Sequence, residues 1–157
     1  MYRVRRWVIQ HARFFEWVYK LLESFLVLCE PIFRYIGYDK IEKPVAGIER
    51  LTKSFLFDSK MCGMCILSST GMACPMNCPK ELRNGPCGGV RPDGKCEVEP
   101  DMDCVWMLAW EGNKRLGVAD YPIQVVQPPV DNRLRNTSAW LREVRRRTGA
   151  DETKAQT

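Results

Sequence analysis

Seven of the eight cysteines lie in one stretch of the chain, between residues 62 and 104. Their spacing is C-x2-C-x8-C-x3-C-x8-C-x8-C-x7-C, at Cys62, Cys65, Cys74, Cys78, Cys87, Cys96 and Cys104. Four thiolates complete a tetrahedral zinc site or bind a cubane iron–sulfur cluster. Seven thiols exceed one such site and fall one short of two. This cysteine block therefore predicts metal or covalent chemistry rather than ordinary apolar packing.

Proline and glycine punctuate the cysteine block. The steps Cys74-Pro75 and Cys78-Pro79 repeat the cysteine–proline pair that closes ligand runs in bacterial ferredoxins. In the run Gly85-Pro86-Cys87-Gly88-Gly89, glycines on both sides of a thiol let the backbone approach closely and aim N–H groups at sulfur. The candidate cofactor-binding residues are therefore Gly85, Gly88 and Gly89. Zinc knuckles use similar N–H···S bonds, so the pattern favours a thiolate-bound metal without selecting which one.

Iron–sulfur binding is the first of three interpretations, because the thiols exceed four and their spacing is irregular. One or two 4Fe-4S clusters would use them. The eighth ligand of a second cluster would be an oxygen of Ser59, Asp58, Asp101 or Asp103, or one cluster would keep an iron without a protein ligand. The alternative is one structural zinc site with unused thiols, although zinc ribbons pair two C-x2-4-C knuckles and the later cysteines here are single. The third interpretation is a disulfide framework.

The expected compartment argues against disulfides. Arg3, Arg5 and Arg6 resemble the start of a secretion signal, but charged residues interrupt the apolar stretch after them and no cleavage site is present. No uncharged apolar run approaches the ~20 residues that cross a membrane. We therefore expect a cytoplasmic protein with no transmembrane segment, where clustered cysteines are more often metal ligands than disulfides.

Residues 2–30 carry apolar side chains at three- and four-residue steps, which predicts one long amphipathic helix that ends or kinks near Pro31. Its stripe comprises Val4, Trp7, Val8, His11, Phe14, Phe15, Val18, Leu21, Leu22, Phe25, Leu28 and Cys29. Such a helix packs in the core, docks on a partner subunit or lies in a membrane interface, and all three remain open. We expect His11 and Cys29 to be buried core residues and not metal ligands.

The remaining elements are predicted from turn residues and periodicity. They are a connection over 32–47, a short helix over 48–56, an irregular segment over 58–104, a short apolar helix after Cys104, an extended proline-containing arm over 117–132 and a basic helix over 138–147. The fold class is mostly α with a large irregular cysteine-rich metal-binding segment and little or no sheet. Three parts are predicted: an N-terminal helix (1–36), a metal-binding domain (37–116) and a C-terminal arm with its helix (117–157).

The net charge of +5 comes mainly from arginines near the two ends of the chain. We assign them to docking surfaces first, because the cysteine block lacks the exposed aromatic set of a nucleic-acid reader, and we expect no nucleic-acid partner. A zinc module that binds RNA through these arginines is the weakest alternative. The chain has one histidine, no P-loop and no G-x-S-x-G motif, so we expect it to catalyse nothing alone.

Several runs within residues 55–140 resemble the methylenetetrahydrofolate reductase C-terminal domain family. The runs are MCGMC (61–65), LSSTG (67–71), CPMNCPK (74–80), LRNGPCGGV (82–90), GKCEV (94–98), CVW (104–106) and QPPVD (127–131). LRNGPCGG with its flanking cysteines is the most specific of them. The family often places one more cysteine before its C-x2-C pair, where this chain has Phe57, Asp58 and Ser59.

The resemblance implies a small iron–sulfur accessory subunit, in which all seven clustered cysteines act as ligands. It would pass electrons from a donor protein to the FMN of a separate catalytic subunit. That subunit, a flavin-containing methylenetetrahydrofolate reductase, interconverts methylene- and methyl-tetrahydrofolate in one-carbon metabolism. If Ser59 replaces a ligand, the second cluster is altered or absent.

Overall fold

The computed structural model describes residues 2–116 and 122–149, with the backbone alone at Tyr2. Over these residues the chain forms six α-helices and no sheet, and its strand-like pairing is limited to two isolated bridges, Val90–Cys96 and Lys95–Asp103. The helices are α1 (Tyr2–Gln10), α2 (Ala12–Leu28), α3 (Glu30–Ile36), α4 (Tyr38–Phe57), α5 (Val105–Arg115) and α6 (Ala139–Thr148). Two short 3₁₀ helices span Pro75–Asn77 and Asn132–Leu134. The mostly helical class is confirmed.

The N-terminal segment is three helices rather than the one predicted over residues 2–30. The chain leaves regular helix at His11 and again at Cys29. Pro31 lies in the first turn of α3, where the backbone N–H that proline lacks has no helical acceptor to lose. Pro31 therefore helps to start α3, and α2 ends just before it at Leu28, as the sequence predicted.

The predicted connection over 32–47 is wrong. Only Gly37 interrupts helix there, with a φ of 94° that favours glycine, and α4 begins at the next residue. Pro44 lies inside α4, which is held against α1 and α6 despite the lost hydrogen bond. The short helix predicted over 48–56 is the second half of α4. The helix after Cys104 and the basic C-terminal helix are both present, and Ser138 caps the latter by accepting from the Leu141 N–H at 3.1 Å.

The predicted arm over 117–132 falls partly outside the described residues. Within the described part, residues 126–131 form neither helix nor strand before the second 3₁₀ helix begins at Asn132. None of the described helices combines the length and apolarity needed to cross a membrane.

The buried face of helix α2 contains both apolar and acidic residues, and most of its apolar side chains point to solvent. Its buried residues are Ala12, Phe15, Glu16, Tyr19 and Glu23. His11 is exposed and Cys29 is half-buried, so the expectation that both are core residues is wrong for His11 and only partly met for Cys29. The His11 Nδ1 lies 2.9 Å from the Trp7 carbonyl oxygen, a contact within one helical turn that leaves the ring at the surface.

The core joins the N-terminal helices to the cysteine block. One apolar cluster contains Val8, Ala12, Phe15, Tyr19, Phe57, Leu67, Met72, Cys74, Met76 and Trp140. A second contains Ile9, Ala73, Cys104, Trp106, Leu108 and Ala109. Because both clusters mix residues from α1 or α2 with residues of the block, the first helices are part of the support for the cysteine loops.

A close contact between two glycines fixes α5 against the loop that precedes Cys74. A Cβ on Gly112 would lie 2.3 Å from the Gly71 carbonyl oxygen, and a Cβ on Gly71 would lie 2.2 Å from the Asn113 nitrogen. Asn113 also donates from Nδ2 to the Ser69 carbonyl at 2.9 Å. Any side chain at either position would push the backbone of α5 away from the backbone of the loop that contains Gly71.

We expect Gly112→Ala to lower the free energy of unfolding by about 1–3 kcal/mol, because the new methyl group overpacks a backbone contact. The matched control is Gly47→Ala in α4, where a Cβ would meet nothing within 4 Å. There the gain in helix propensity should raise stability by about 0.5–1 kcal/mol. Urea unfolding followed by circular dichroism measures both. A Gly112→Ala protein at least as stable as the parent would contradict the close contact.

Candidate metal centre

Three of the predicted ligands, Cys62, Cys65 and Cys74, line one small cavity of about 20 Å³. Cys62 and Cys65 come after α4, whose C-cap residue Asp58 turns the chain with a φ of 52°. Cys74 immediately precedes the 3₁₀ helix Pro75–Asn77 and is buried. Burial raises the pKa of the Cys74 thiol to about 11.

The loop between Cys62 and Cys65 requires glycine at its centre. Gly63 has a φ of 75°, and a Cβ there would lie 2.2 Å from the Leu134 carbonyl oxygen. The segment before α6 therefore packs directly on the C-x2-C turn. Arg142 of α6 adds a hydrogen bond from Nη1 to the Gly63 carbonyl at 3.3 Å.

A buried lysine lies beside this cavity. Lys53 Nζ donates to Glu49 Oε1 at 2.7 Å and to the Tyr19 hydroxyl at 3.2 Å, and the Tyr19 hydroxyl in turn lies 3.8 Å from Cys65 Sγ. Burial disfavours the charged form of Lys53, but anionic neighbours, with the Cys65 thiolate first among them, outweigh it and raise the pKa of the ammonium well above its usual value. Burial also raises the pKa of the Tyr19 phenol, which therefore stays neutral. Lys53 is a cation held within reach of the thiols.

Arg83 is a second buried cation on the same cavity. Its Nη2 donates to the Met64 carbonyl at 2.9 Å, while its Nε and Nη1 are buried and have no hydrogen-bond partner. A guanidinium with two unsatisfied N–H groups is costly unless an anion accepts from them. The cavity thus combines three thiols with two buried cations, Lys53 and Arg83, a chemistry that suits an anionic thiolate-ligated group.

The other four clustered cysteines lie outside this cavity. Cys96 and Cys104 are buried in the bridged segment, where the Cys104 N–H donates to the Gly94 carbonyl at 3.0 Å. Cys87 is exposed and accepts from the Gly89 N–H at 3.4 Å. Cys78 is half-buried after the 3₁₀ helix.

Lys80 interacts electrostatically with two of these four cysteines, Cys87 and Cys96. Its ammonium is paired with the Glu97 carboxylate, and that hydrogen bond, with added attraction from the Cys87 and Cys96 thiolates, raises the pKa of Lys80. The Glu97 carboxylate also occupies the space that a Cβ on Gly89 would need, at 2.0 Å.

The three predicted cofactor-binding glycines have different surroundings. A Cβ on Gly85 would lie 2.4 Å from the Trp106 ring, whereas a Cβ on Gly88 would meet nothing within 4 Å. Glycine is nevertheless favoured at position 88, because the backbone there has a φ of 75°. Gly89 is the one of the three whose N–H reaches a thiol.

The four residues predicted to supply an oxygen ligand have different surroundings. Ser59 lines the first cavity, and its hydroxyl accepts from the Met61 N–H at 3.3 Å. Asp58 forms ion pairs with Arg5 and Lys60, both at 3.8 Å, and Asp103 pairs with Arg6 at 3.5 Å. Asp101 is exposed. Ser59 is therefore the candidate that lies with the first three thiols.

Within the described residues, no three cysteine, histidine, aspartate or glutamate side chains converge on a point where a metal ion would bind. The donor chemistry of the first cavity fits a thiolate-bound group, although its donors are not gathered around one point. A volume of about 20 Å³ accepts one water-sized atom. One metal ion fits that space, whereas a cubane cluster requires the flanking loops to open.

Sequence patterns missed Lys53, Glu49, Tyr19 and Arg83. Glu49 and Lys53 are four residues apart in a helix, a spacing that predicts an ion pair but does not predict burial. Arg83 belongs to the LRNGPCGG run, but arginine is not a metal ligand, so the ligand pattern does not indicate it.

Residues 38–133 match a protein-family model described as the C terminus of methylene-tetrahydrofolate reductase. The match includes α4, all seven clustered cysteines and α5, and it excludes α1, α2 and α3. Neither a curated protein nor a solved structure matches the chain.

Proposed function

Because the chain belongs to the methylenetetrahydrofolate reductase C-terminal family, we propose that it is an iron–sulfur accessory subunit of such a reductase. In this role it relays electrons from a reduced donor protein to the FMN of the catalytic subunit, which reduces methylene- to methyl-tetrahydrofolate. An iron–sulfur cluster supplies one-electron transfer when it is bound. The observation that carries the proposal is the cavity lined by three thiols and two buried cations.

The residues of this cavity have distinct roles in the proposal. Cys62, Cys65 and Cys74 bind the cluster as thiolates. Arg83 balances part of the negative charge that several thiolates bring into a buried site, which would otherwise be expensive to desolvate. Lys53 is already paired with Glu49, and its role is to hold a cation beside Cys65 through the Tyr19 hydroxyl. Cys78, Cys87, Cys96 and Cys104 are the further ligands, and the Gly89 N–H donates to the Cys87 sulfur and lowers its electron density.

Iron and sulfide analysis of anaerobically purified protein, co-expressed with its reductase, tests the proposal. We expect about four or about eight irons per chain and a broad absorption band near ~400 nm that bleaches on reduction. About four would indicate that Ser59 stands where a second cluster lost its ligand. A complex that contains no iron would rule the proposal out.

The alternative function is a structural zinc module that stabilises the reductase without transferring electrons. The small volume of the cavity favours it, because a single ion needs less space than a cubane. Stoichiometric zinc without iron, and a spectrum with no visible band, would select this alternative.

A further inference from the structure

Helix α2 exposes a continuous apolar stripe on the side opposite the cysteine cavity. Trp17 is 62% exposed, Leu21 58%, Phe25 59% and Leu28 77%. Phe14 and Val18 extend the stripe toward α1, and Ile32 extends it onto α3. We call these seven residues the α2 face. Exposed apolar side chains at successive helical turns are rare on a protein that works alone, so this face marks an interaction site.

The exposed charges beside the α2 face are positive. Between residues 3 and 28 the acidic residues are Glu16 and Glu23, which are 4% and 8% exposed. Glu16 is 3.2 Å from Lys20, and Glu23 is 2.8 Å from Arg147 of α6. The exposed charged residues over the same span are Arg3, Arg6 and Arg13. A partner would therefore complement this surface with an apolar patch rimmed by carboxylates.

The shape of the α2 face favours a protein over a lipid surface. One groove is lined by Val18, Leu21, Leu22, Ser24, Phe25 and Leu28. A second is lined by Gln10, His11, Arg13, Phe14, Trp17 and Arg115. Both are shallow, open depressions between side chains, which receive the side-chain ridges of a packed helix, whereas a bilayer surface offers no ridges. A second copy of this chain is disfavoured because two arginine-bearing rims would repel.

The opposite side of α2 reaches the candidate metal centre. Tyr19 lies on the buried side of α2, and its hydroxyl is 3.8 Å from Cys65 Sγ. An α-helix with its side chains is ~10 Å across, so a protein seated on the α2 face comes within about one helix diameter of the thiols.

We propose that the α2 face is the docking surface for the flavin-containing catalytic subunit, which binds it through an acid-rimmed apolar patch. This inference rests on the proposed function, because it takes the partner from there. It adds the surface, and it gives α1, α2 and α3, which lie outside the family match, a role of their own. Docking here brings the partner's surface within about one helix diameter of Cys65 and covers no cysteine of the block.

Leu21→Glu and Phe25→Glu test the surface, each measured in the full-length chain against the purified reductase by isothermal titration calorimetry. We expect each to weaken binding by about 30-fold or more, the effect of losing an interface hot spot. Glutamate is a good helix former and both side chains are exposed, so the fold and the metal content should not change. The matched control is Val98→Glu, also an exposed apolar residue but outside α2, which should bind like the parent.

Arg13→Glu tests the charge argument separately. We expect it to weaken binding several-fold at low salt and progressively less as salt is added. Binding that Leu21→Glu and Phe25→Glu leave unchanged would overturn the inference. So would a parent chain that ignores the reductase but binds phosphatidylserine vesicles or itself through the α2 face. Iron content, measured in the same samples, judges the proposed function independently of where the reductase docks.

Discussion

Cys74→Ala is expected to release the bound metal and to unfold most of the segment between residues 58 and 104. This segment has one short 3₁₀ helix, two isolated bridges and many turn residues, so on the proposal that its thiols bind a metal, that metal supplies much of its folding free energy. Structural metal sites contribute on the order of 10 kcal/mol in small domains. The loss should therefore be comparable to the whole free energy of unfolding of a typical domain, about 5–15 kcal/mol.

The matched control for Cys74→Ala is Cys29→Ala. Cys29 lies between α2 and α3, is half-buried and has no role in the cysteine block, so its replacement should leave metal content unchanged and cost about 1 kcal/mol or less. Metal analysis and thermal unfolding of both variants, expressed with the reductase, decide the matter. A Cys74→Ala protein with full metal content would remove Cys74 from the ligand set.

Glu49→Gln has the second largest expected effect. The Glu49 carboxylate accepts from Lys53 Nζ at 2.7 Å, from the Ser138 hydroxyl at 2.6 Å and from the backbone N–H of Trp140 at 3.2 Å. Both Glu49 and Lys53 are fully buried. Neutralising Glu49 leaves the Lys53 ammonium without its carboxylate partner, and breaking a buried ion pair costs about 3–5 kcal/mol.

Denaturant unfolding of the metal-loaded chain measures this loss. The control is Glu111→Gln, which removes an exposed carboxylate 4.0 Å from Arg115 and should change stability by less than about 1 kcal/mol. The double variant Glu49→Leu with Lys53→Met should recover part of the loss, because no charge is then left buried. A single variant as stable as the Glu111→Gln control would show that Lys53 is not held as a buried cation.

The elements with strong local signals were predictable. The helix after Cys104 and the last helix are indicated by short apolar runs and by the capping serine at residue 138. The first half of α4 could not be predicted, because Gly37, Pro44 and Gly47 are ordinarily turn signals. Packing of α4 against α1 and α6 outweighs those local preferences.

The orientation of α2 was also beyond sequence patterns. Apolar periodicity identified a stripe, but the buried face instead contains Glu16 and Glu23. Glu23 is satisfied by Arg147, which is 124 residues later in the chain, so no local window reveals the pairing. The surroundings of the thiols could likewise not be predicted from local sequence. Spacing indicated that Cys62 and Cys65 act together, whereas the approach of Lys53 and Arg83 to them depends on the tertiary fold.

The contact between α2 and α6 has a consequence for synthesis of the chain. These two helices are neighbours in space, yet one lies near the start of the sequence and the other near its end. Such distant contacts form late, because the intervening loop must first be closed. While the ribosome is still translating residues 30–138, Glu23 has no Arg147 to pair with, and both faces of α2 are open to water. Chaperone binding during translation is therefore expected to concentrate on α2 and, once α6 has emerged and covered the side of Glu23, to be limited to the exposed α2 face.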